Sequence, residues 1–267
     1  MRPIFFCKME GTGNNFLIID NRHNYLGEEV KPAEMPEFVK RLANCSLGAG
    51  ADGVIIVERS GEYPFAMHYY NQDGSEADIC LNGARCLVSY AHRLGLIREK
   101  GKFISASGPI GFYHKGETIS IEVTPPLDIK LNFTFTIKKK KLRANYLKLG
   151  VPHCVIFVDS FEKIDIKELG QAIRNHRQFK PDGVNVNFVK TEKDHLFVRT
   201  YERGVEDETL SCGSGVVASA YIATKLFMTE PPVTCRTRGG DLTVDIKEKL
   251  YLEGPANVIY DGVYYYG

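Results

Sequence analysis

A repeated motif divides this chain of 267 residues into two halves. Cys80-Leu81-Asn82-Gly83 returns as Cys212-Gly213-Ser214-Gly215, and Gly108 returns as Gly240 at the same spacing along the chain. A repeat that extends from a thiol motif into the strands behind it argues for two similar domains rather than two chance cysteines. Each cysteine follows an acidic polar run, Asp73-Gly74-Ser75-Glu76 in one half and Glu206-Asp207-Glu208-Thr209 in the other. Each also precedes helical periodicity: Leu87, Tyr90, Ala91 and Leu94 recur at i, i+3, i+4, i+7, and Val217, Ala220, Tyr221 and Thr224 do likewise. Both thiols therefore fall at helix N-termini, where unpaired backbone N–H groups and the macrodipole favour negative charge. A cysteine placed there tends toward thiolate.

The first half opens with apolar alternation at Phe5, Cys7 and Met9. Gly11-Thr12-Gly13-Asn14-Asn15 interrupts it before Phe16-Leu17-Ile18-Ile19-Asp20 resumes as a buried strand. The glycines mark a tight turn holding Asn14 near strand ends, and a plain hairpin turn and a ligand-contacting loop both remain open there. As a dinucleotide fingerprint the stretch is weak, because the third glycine and the following helix are missing. An amphipathic helix is expected over 32–43, with Met35, Phe38, Val39 and Leu42 on one face, and short strands over 54–58 and 65–71. The helix after Cys80 runs through Leu94 and ends at Gly95. Residues 103–108 begin a hairpin expected to return through 118–123, and residues 233–240 and 242–246 play the same part in the second half.

The seam between halves falls near Thr124-Pro125-Pro126-Leu127, where paired prolines halt the sheet pattern. Lys138-Lys139-Lys140-Lys141 reads as a solvated turn or edge strand. Pro152 breaks the strand over 146–158 and leaves His153 at a bend. A helix around 166–173 and strands over 183–188 and 197–204 lead to the second thiol.

Charge and cysteine usage narrow the partners. The formal charge is +1, from 34 basic and 33 acidic residues, so there is no strong field to steer nucleic acid or a membrane surface. No apolar run approaches the roughly 18 residues of a spanning helix, and the opening residues 1–6 are too short for a signal segment. A soluble cytoplasmic protein with no nucleic-acid or membrane partner is the expectation. Seven cysteines, an odd number scattered along the chain without a C-x-x-C pair, fit reduced thiols better than a disulfide framework or a zinc ribbon. Cys7, Cys45, Cys86, Cys154 and Cys235 read as core.

Two mirrored thiols permit a particular chemistry. One group removes the hydrogen from one face of a carbon centre and another returns a hydrogen to the opposite face, which inverts the centre. One thiol must start as thiolate and the other as thiol. Backbone N–H groups at Asn82-Gly83 and Gly213-Ser214-Gly215 suit a carboxylate into which the charge spreads as the proton leaves, at about 3 kcal/mol per donor in the transition state. Covalent catalysis needs a histidine and only one thiol, which leaves the second cysteine unexplained. A metal site from Cys80, Cys212 and His153 has no local ligand spacing behind it, and no metal is expected.

With Lys8-Met9-Glu10-Gly11-Thr12-Gly13-Asn14-Asn15-Phe16, Gly50-Ala51-Asp52-Gly53, Asn71-Gln72-Asp73-Gly74-Ser75-Glu76, Asn82-Gly83-Ala84-Arg85-Cys86, Pro152-His153, Val184-Asn185, Glu202-Arg203-Gly204 and Glu208-Thr209-Leu210-Ser211-Cys212-Gly213-Ser214-Gly215, the chain resembles the diaminopimelate epimerase family. These motifs span nearly the whole chain in family order. The resemblance implies an α+β fold of two similar pseudo-symmetric domains, each a barrel-like, mostly antiparallel sheet around a central helix, with the active site in the cleft between them. It places the first domain over 1–125, with a strand over 258–267 returning to it, and the second over 126–257.

The activity implied is cofactor-independent epimerisation of LL-2,6-diaminopimelate to the meso form by a homodimer. Cys80 and Cys212 would be the two bases, and His153 and Glu202 would tune them. Backbone groups of Leu81, Asn82, Gly213 and Ser214 would hold the reacting carboxylate. Asn14, Asn71, Asn185 and Arg203 would hold the remaining substrate groups, with Glu202 at the distal end. The guanidinium of Arg203 suits a distal carboxylate because it binds both oxygens.

Three departures stand out. Leu81 occupies a position where the family usually has glycine, and its side chain must find room beside the carboxylate. Val151 replaces a common asparagine before Pro-His, removing a polar contact to the distal end. The loop 205–208 is one residue longer than its commonest form. The alternatives are an epimerase or racemase of another amino acid, suggested by Val151, and a catalytically silent amino-acid-binding protein.

Overall fold

The architecture is that of a computed structural model, which describes residues 2–137 and 139–267. The chain falls into two compact units, residues 1–122 with 254–267 and residues 123–253. The first unit contains β1 (Arg2–Gly11), β2 (Asn14–Asp20), α1 (Tyr25–Glu29), a 3-10 turn at Pro32–Glu34, α2 (Met35–Ala43), β3 (Gly53–Glu58), β4 (Ala66–Asn71), β5 (Glu76–Ala77), α3 (Leu81–Arg93), β6 (Lys100–Ser105), β7 (Gly108–Lys115) and β8 (Thr118–Val123). The second runs through β9 (Leu127–Ile137), β10 (Lys140–Leu149), β11 (Val151–Phe157), α4 (Ile166–Arg174), a 3-10 turn at Arg177–Phe179, β12 (Asn185–Thr191), β13 (Leu196–Glu202), β14 (Asp207–Thr209), α5 (Gly213–Lys225), β15 (Val233–Thr237), β16 (Gly240–Ile246) and β17 (Leu250–Pro255). The last strand, β18 (Asn257–Tyr266), pairs antiparallel with β1.

The repeat is structural as well as sequential. The step along the chain from Cys80 to Cys212 carries both bounds of α3 onto those of α5, and it carries β8 onto β17. Strand pairing repeats with it. In the first unit β1–β2 is antiparallel, β2–β3 parallel, β3–β4 antiparallel and β4–β6 parallel. In the second, β10–β11, β11–β12, β12–β13 and β13–β15 follow the same order. Each parallel pair at β2–β3 and β11–β12 is joined by a crossover carrying α2 or α4, the length a parallel connection demands.

The sheet of the first unit separates two apolar layers. Phe16, Ile18, Ile55 and Val57 face a core with Ala84, Leu87, Val88 and Ala91 of α3, while Leu17, Ile19, Val54 and Ile56 face one with Phe38, Val39 and Leu42 of α2. Strands covered on both faces must be apolar at every position, which explains the unbroken runs at 16–19 and 54–57. In the second unit α5 packs against β10, β11, β12, β13, β15 and β16, and it is apolar nearly all round, as an enclosed helix must be.

Several expectations change. Pro152 does not break a strand: the chain reverses at Gly150, with φ of 67°, and β10 and β11 form a hairpin in which Leu147 opposes His153. His153 therefore lies within β11, wholly buried, and not at a bend. The expected hairpin from 103–108 to 118–123 is a three-strand meander, because β7 stands between. Gly108, Pro109 and Gly111 hide β7 in the sequence, since they read as turn residues. The 3-10 turn at 32–34 replaces the first turn of the expected helix, and α1 was not foreseen. Cys45 is exposed in the loop after α2 rather than core. In the lysine run, Lys139 forms the turn before β10 with Lys140 and Lys141 in the strand, and Lys138 lies outside the described residues, as does Met1. No helix among the described residues is long and apolar enough to cross a membrane.

Candidate active site

Cys80 caps the N-terminus of α3 with φ −117° and ψ 118°, and Cys212 caps α5 with φ −116° and ψ 107°. The carbonyls of the two caps accept the first helical hydrogen bonds, from Ala84 at 2.7 Å and from Val216 at 2.9 Å. The N–H groups of residues 81–83 and 213–215 thus lie outside the intrahelical ladder, where they give each helix end its positive potential. Cys80 is half-buried and Cys212 buried, its sulfur 3.5 Å from the Ser214 hydroxyl.

In the first unit three distant segments meet at the start of α3. Asn82 donates from Nδ2 to Asn14 Oδ1 at 2.7 Å. Asp52 Oδ2 in turn accepts from Asn14 Nδ2 at 3.3 Å and from the Asn15 backbone at 2.8 Å. The turn over Gly11–Asn15 is thus a hairpin turn between β1 and β2, and its Asn14 side chain also reaches the helix end. Asn71 sits in its own turn at the end of β4, where its side chain donates to Ser75 Oγ at 3.0 Å. Leu81, the first residue of α3, packs against the apolar cluster around that helix. Its side chain is half-buried there.

In the second unit Asn185 and His153 are register neighbours on parallel strands. Asn185 Oδ1 accepts from the Arg203 backbone N–H at 2.8 Å, and Arg203 Nη1 donates to the Asp182 carbonyl at 3.1 Å. Glu202 ends β13 immediately before this contact. The longer loop 205–208 is split between a turn over 203–206 and the start of β14, and it is pinned: Glu206 accepts from Arg174 Nε at 2.9 Å, and the Tyr201 hydroxyl donates to the Glu206 carbonyl at 2.9 Å. Val151 opposes Leu149 at the start of β11, half-buried.

Burial pushes the His153 imidazole down to about 3, and the Arg203 charge acts in the same direction, so the ring is neutral. Asn187 Nδ2 lies 3.2 Å from His153 Nδ1 and also donates to the Cys154 carbonyl at 3.2 Å. An amide NH2 only donates, so Nδ1 is the acceptor and the ring proton belongs on Nε2. Thr200 Oγ1 donates to Asn187 Oδ1 at 2.9 Å. Asn187 and Thr200 were missed in the sequence, although an asparagine inside the apolar run Val184–Val189 was a usable signal.

Gly215 is required by this network, because a Cβ there would overlap Asn187 Oδ1. At its repeat counterpart Gly83 the nearest atoms to a Cβ would be Ile55 Cδ1 and the Phe16 ring. The two glycines thus differ in what their Cβ would meet, apolar side chains at Gly83 and a polar pair at Gly215. Among the described residues no group of three or more His, Cys, Asp or Glu side chains is placed to hold a metal ion.

In fold the chain is similar to a phenazine biosynthesis protein of the PhzF family from Bacillus anthracis, with a TM-score of 0.76, 15% identity and coverage of 100% of both chains. It is also similar to a hydroxyproline epimerase from Agrobacterium vitis, with a TM-score of 0.74, 13% identity and coverage of 98% of this chain and 92% of that one. These likenesses define the class of fold, a two-unit α+β protein. A family model described as diaminopimelate epimerase matches residues 6–124 and 145–259. Relatives named diaminopimelate epimerase are 39% identical in Methanocella arvoryzae, over 98% of this chain and 97% of that one, and 37% identical in Aquifex aeolicus, over 96% of each. The chain belongs to the diaminopimelate epimerase family.

Proposed function

We propose that this protein is an isomerase that converts LL-2,6-diaminopimelate to the meso form without a cofactor, using Cys80 and Cys212 as a pair of bases. A thiolate takes the α-hydrogen as a proton, leaving the electron pair to spread into the α-carboxylate. The second cysteine, a thiol, donates a proton to the opposite face and becomes the thiolate. The product therefore leaves the two thiols with exchanged protonation states. Backbone N–H groups of Leu81, Asn82, Gly213 and Ser214 hold the α-carboxylate, where preorganised donors stabilise the growing charge. Asn14, Asn71, Asn185, Arg203 and Glu202 hold the remaining groups of the substrate, and His153 and Glu202 tune the thiols.

The observation that carries this reading is the equivalence of the two thiols: each caps a helix of 13 residues with nearly the same backbone angles, at matching places in the repeat. The half-buried Leu81 side chain packs against the apolar cluster around α3, which supports the reading further. The epimerase domains we assign, 1–125 with 258–267 and 126–257, accord with the compact units 1–122 with 254–267 and 123–253. We place the enzyme in the cytoplasm as a homodimer acting on a small amino acid; seven free thiols fit a reducing compartment.

Chiral analysis of products from LL-diaminopimelate and a panel of other amino acids tests the substrate. The expected result is meso-diaminopimelate. Inversion of another amino acid with diaminopimelate untouched would favour the reading suggested by Val151, and binding without any inversion would favour a silent amino-acid-binding protein.

A further inference from the structure

A guanidinium is buried beneath the first turn of α3. Arg85 has no exposed surface and heads the wholly buried side chains by size. Its Nη2 donates to Thr12 Oγ1 at 2.8 Å and its Nε to the Pro255 carbonyl at 3.3 Å, while Nη1 is buried without a partner. Although Arg85 belongs to the second turn, its side chain runs back toward the first. A Cβ built on Gly11 would touch both Arg85 Nη2, at 3.5 Å, and the carbonyl oxygen of Asn82, at 3.0 Å.

A buried cation held only by neutral acceptors is costly, and such charges are ordinarily paired. The titratable groups acting on the guanidinium are Cys86, Cys80 and Glu10. Glu10, on β1, makes no ion pair with it; its oxygens accept from the Gly13 backbone at 3.2 Å and from Asn257 Nδ2 at 2.5 Å. Burial pushes the Cys86 thiol up, so Cys86 is neutral. Burial also draws Arg85 down, to about 10, which leaves it charged at neutral pH. Two groups that act on the guanidinium can then supply a negative charge, the Glu10 carboxylate, which is already taken up by Gly13 and Asn257, and Cys80, at the cap of the same helix.

The second unit has no such cation in the matching place. The repeat puts Val217, wholly buried, at the position of Arg85. The polar groups against Gly215 in the matching turn of α5 are the neutral Asn187 and Thr200, with the neutral His153 behind Asn187, and the Arg203 charge acts on His153 from the turn after β13 rather than from within α5.

We propose that Arg85 is a positioning residue that holds Cys80 as the thiolate in the substrate-free protein, making Cys80 the base and Cys212 the acid for the first substrate bound. This rests on the two-thiol reading above and says which thiol begins ionised. The test is the rate of iodoacetamide alkylation at Cys80 and Cys212 as a function of pH, read by peptide mass spectrometry on the full-length protein without substrate. In the wild type the Cys80 midpoint should fall below that of Cys212. Arg85→Met should slow Cys80 alkylation at neutral pH by about tenfold while leaving Cys212 nearly unchanged, and Arg85→Lys should restore most of the rate. A Cys212 midpoint equal to or below that of Cys80 in the wild type overturns the proposal, and so does an unchanged Cys80 rate in folded Arg85→Met. The wild-type comparison decides the matter even where neither variant folds. Labelling needs no turnover, so a failure here is distinct from a failure of the two-base reaction, which shows as inversion by variants lacking a thiol.

Discussion

Asn187 Nδ2 lies 3.2 Å from His153 Nδ1, and this one amide fixes the tautomer of a wholly buried, neutral histidine. The same side chain accepts from Thr200 and donates to the Cys154 carbonyl, so it ties β11, β12 and β13 together behind the start of α5. Asn187→Leu keeps the volume but takes the side-chain partner from Thr200 Oγ1 and from His153 Nδ1. A loss of about 2–4 kcal/mol in urea unfolding is expected, together with a fall in kcat that exceeds any change in KM.

The glycines of the two motifs should respond differently to the same change. Gly215→Ala drives a methyl into Asn187 Oδ1, which is fixed by Thr200, and should cost about 2–3 kcal/mol. Gly83→Ala meets Ile55 Cδ1 at 3.1 Å and Phe16 at 3.3 Å, ends of side chains that can yield, and gains about 1 kcal/mol in helix propensity. Thermal unfolding of the two variants checks the ordering: Gly215→Ala should melt well below Gly83→Ala.

His153 supplies a pH dependence with a definite sign. Its folded value, about 3, lies below the ordinary value of 6.5, so the unfolded chain binds the proton more readily between those limits. Stability from this residue is fully present above about 6.5 and is lost as the pH falls toward 3. His153→Gln should flatten that part of the stability profile relative to the wild type. Proton NMR of the ring should show no titration of His153 near neutrality.

Leu81→Gly restores the residue usual in the family and removes a half-buried side chain from the apolar cluster around α3. Stability should fall by about 2 kcal/mol from lost burial and the helix cost of glycine. KM for diaminopimelate should change less than threefold, because the backbone N–H at this position is the same in both residues. Steady-state kinetics beside a melting curve separate the two effects.

Much of this arrangement is legible in the sequence because it is written in periodicity. The apolar runs 16–19 and 54–57, the helical spacing after each cysteine and the shared step from Cys80 to Cys212 and from Gly108 to Gly240 fix the strands, the two enclosed helices and the repeat. Gly108, Pro109 and Gly111 conceal β7 because local turn chemistry outweighs pairing that only the folded sheet supplies. Pro152 misleads for the same reason, since a proline at its register in β11 is tolerated where the chain has already turned at Gly150. Arg85 and Asn187 escape because a polar residue in an apolar stretch shows no sign of burial until its partners, Thr12 for one and His153 for the other, arrive from elsewhere in the chain.

The central claim is that Cys80 and Cys212 act on opposite faces of one α-carbon. Incubation with LL-diaminopimelate in deuterium oxide, followed by mass and chiral analysis, measures this directly in the wild type and in Cys80→Ala and Cys212→Ala. The wild type should form meso-diaminopimelate carrying one solvent deuterium at the inverted centre, and neither variant should invert it. Full inversion by either alanine variant would contradict the account.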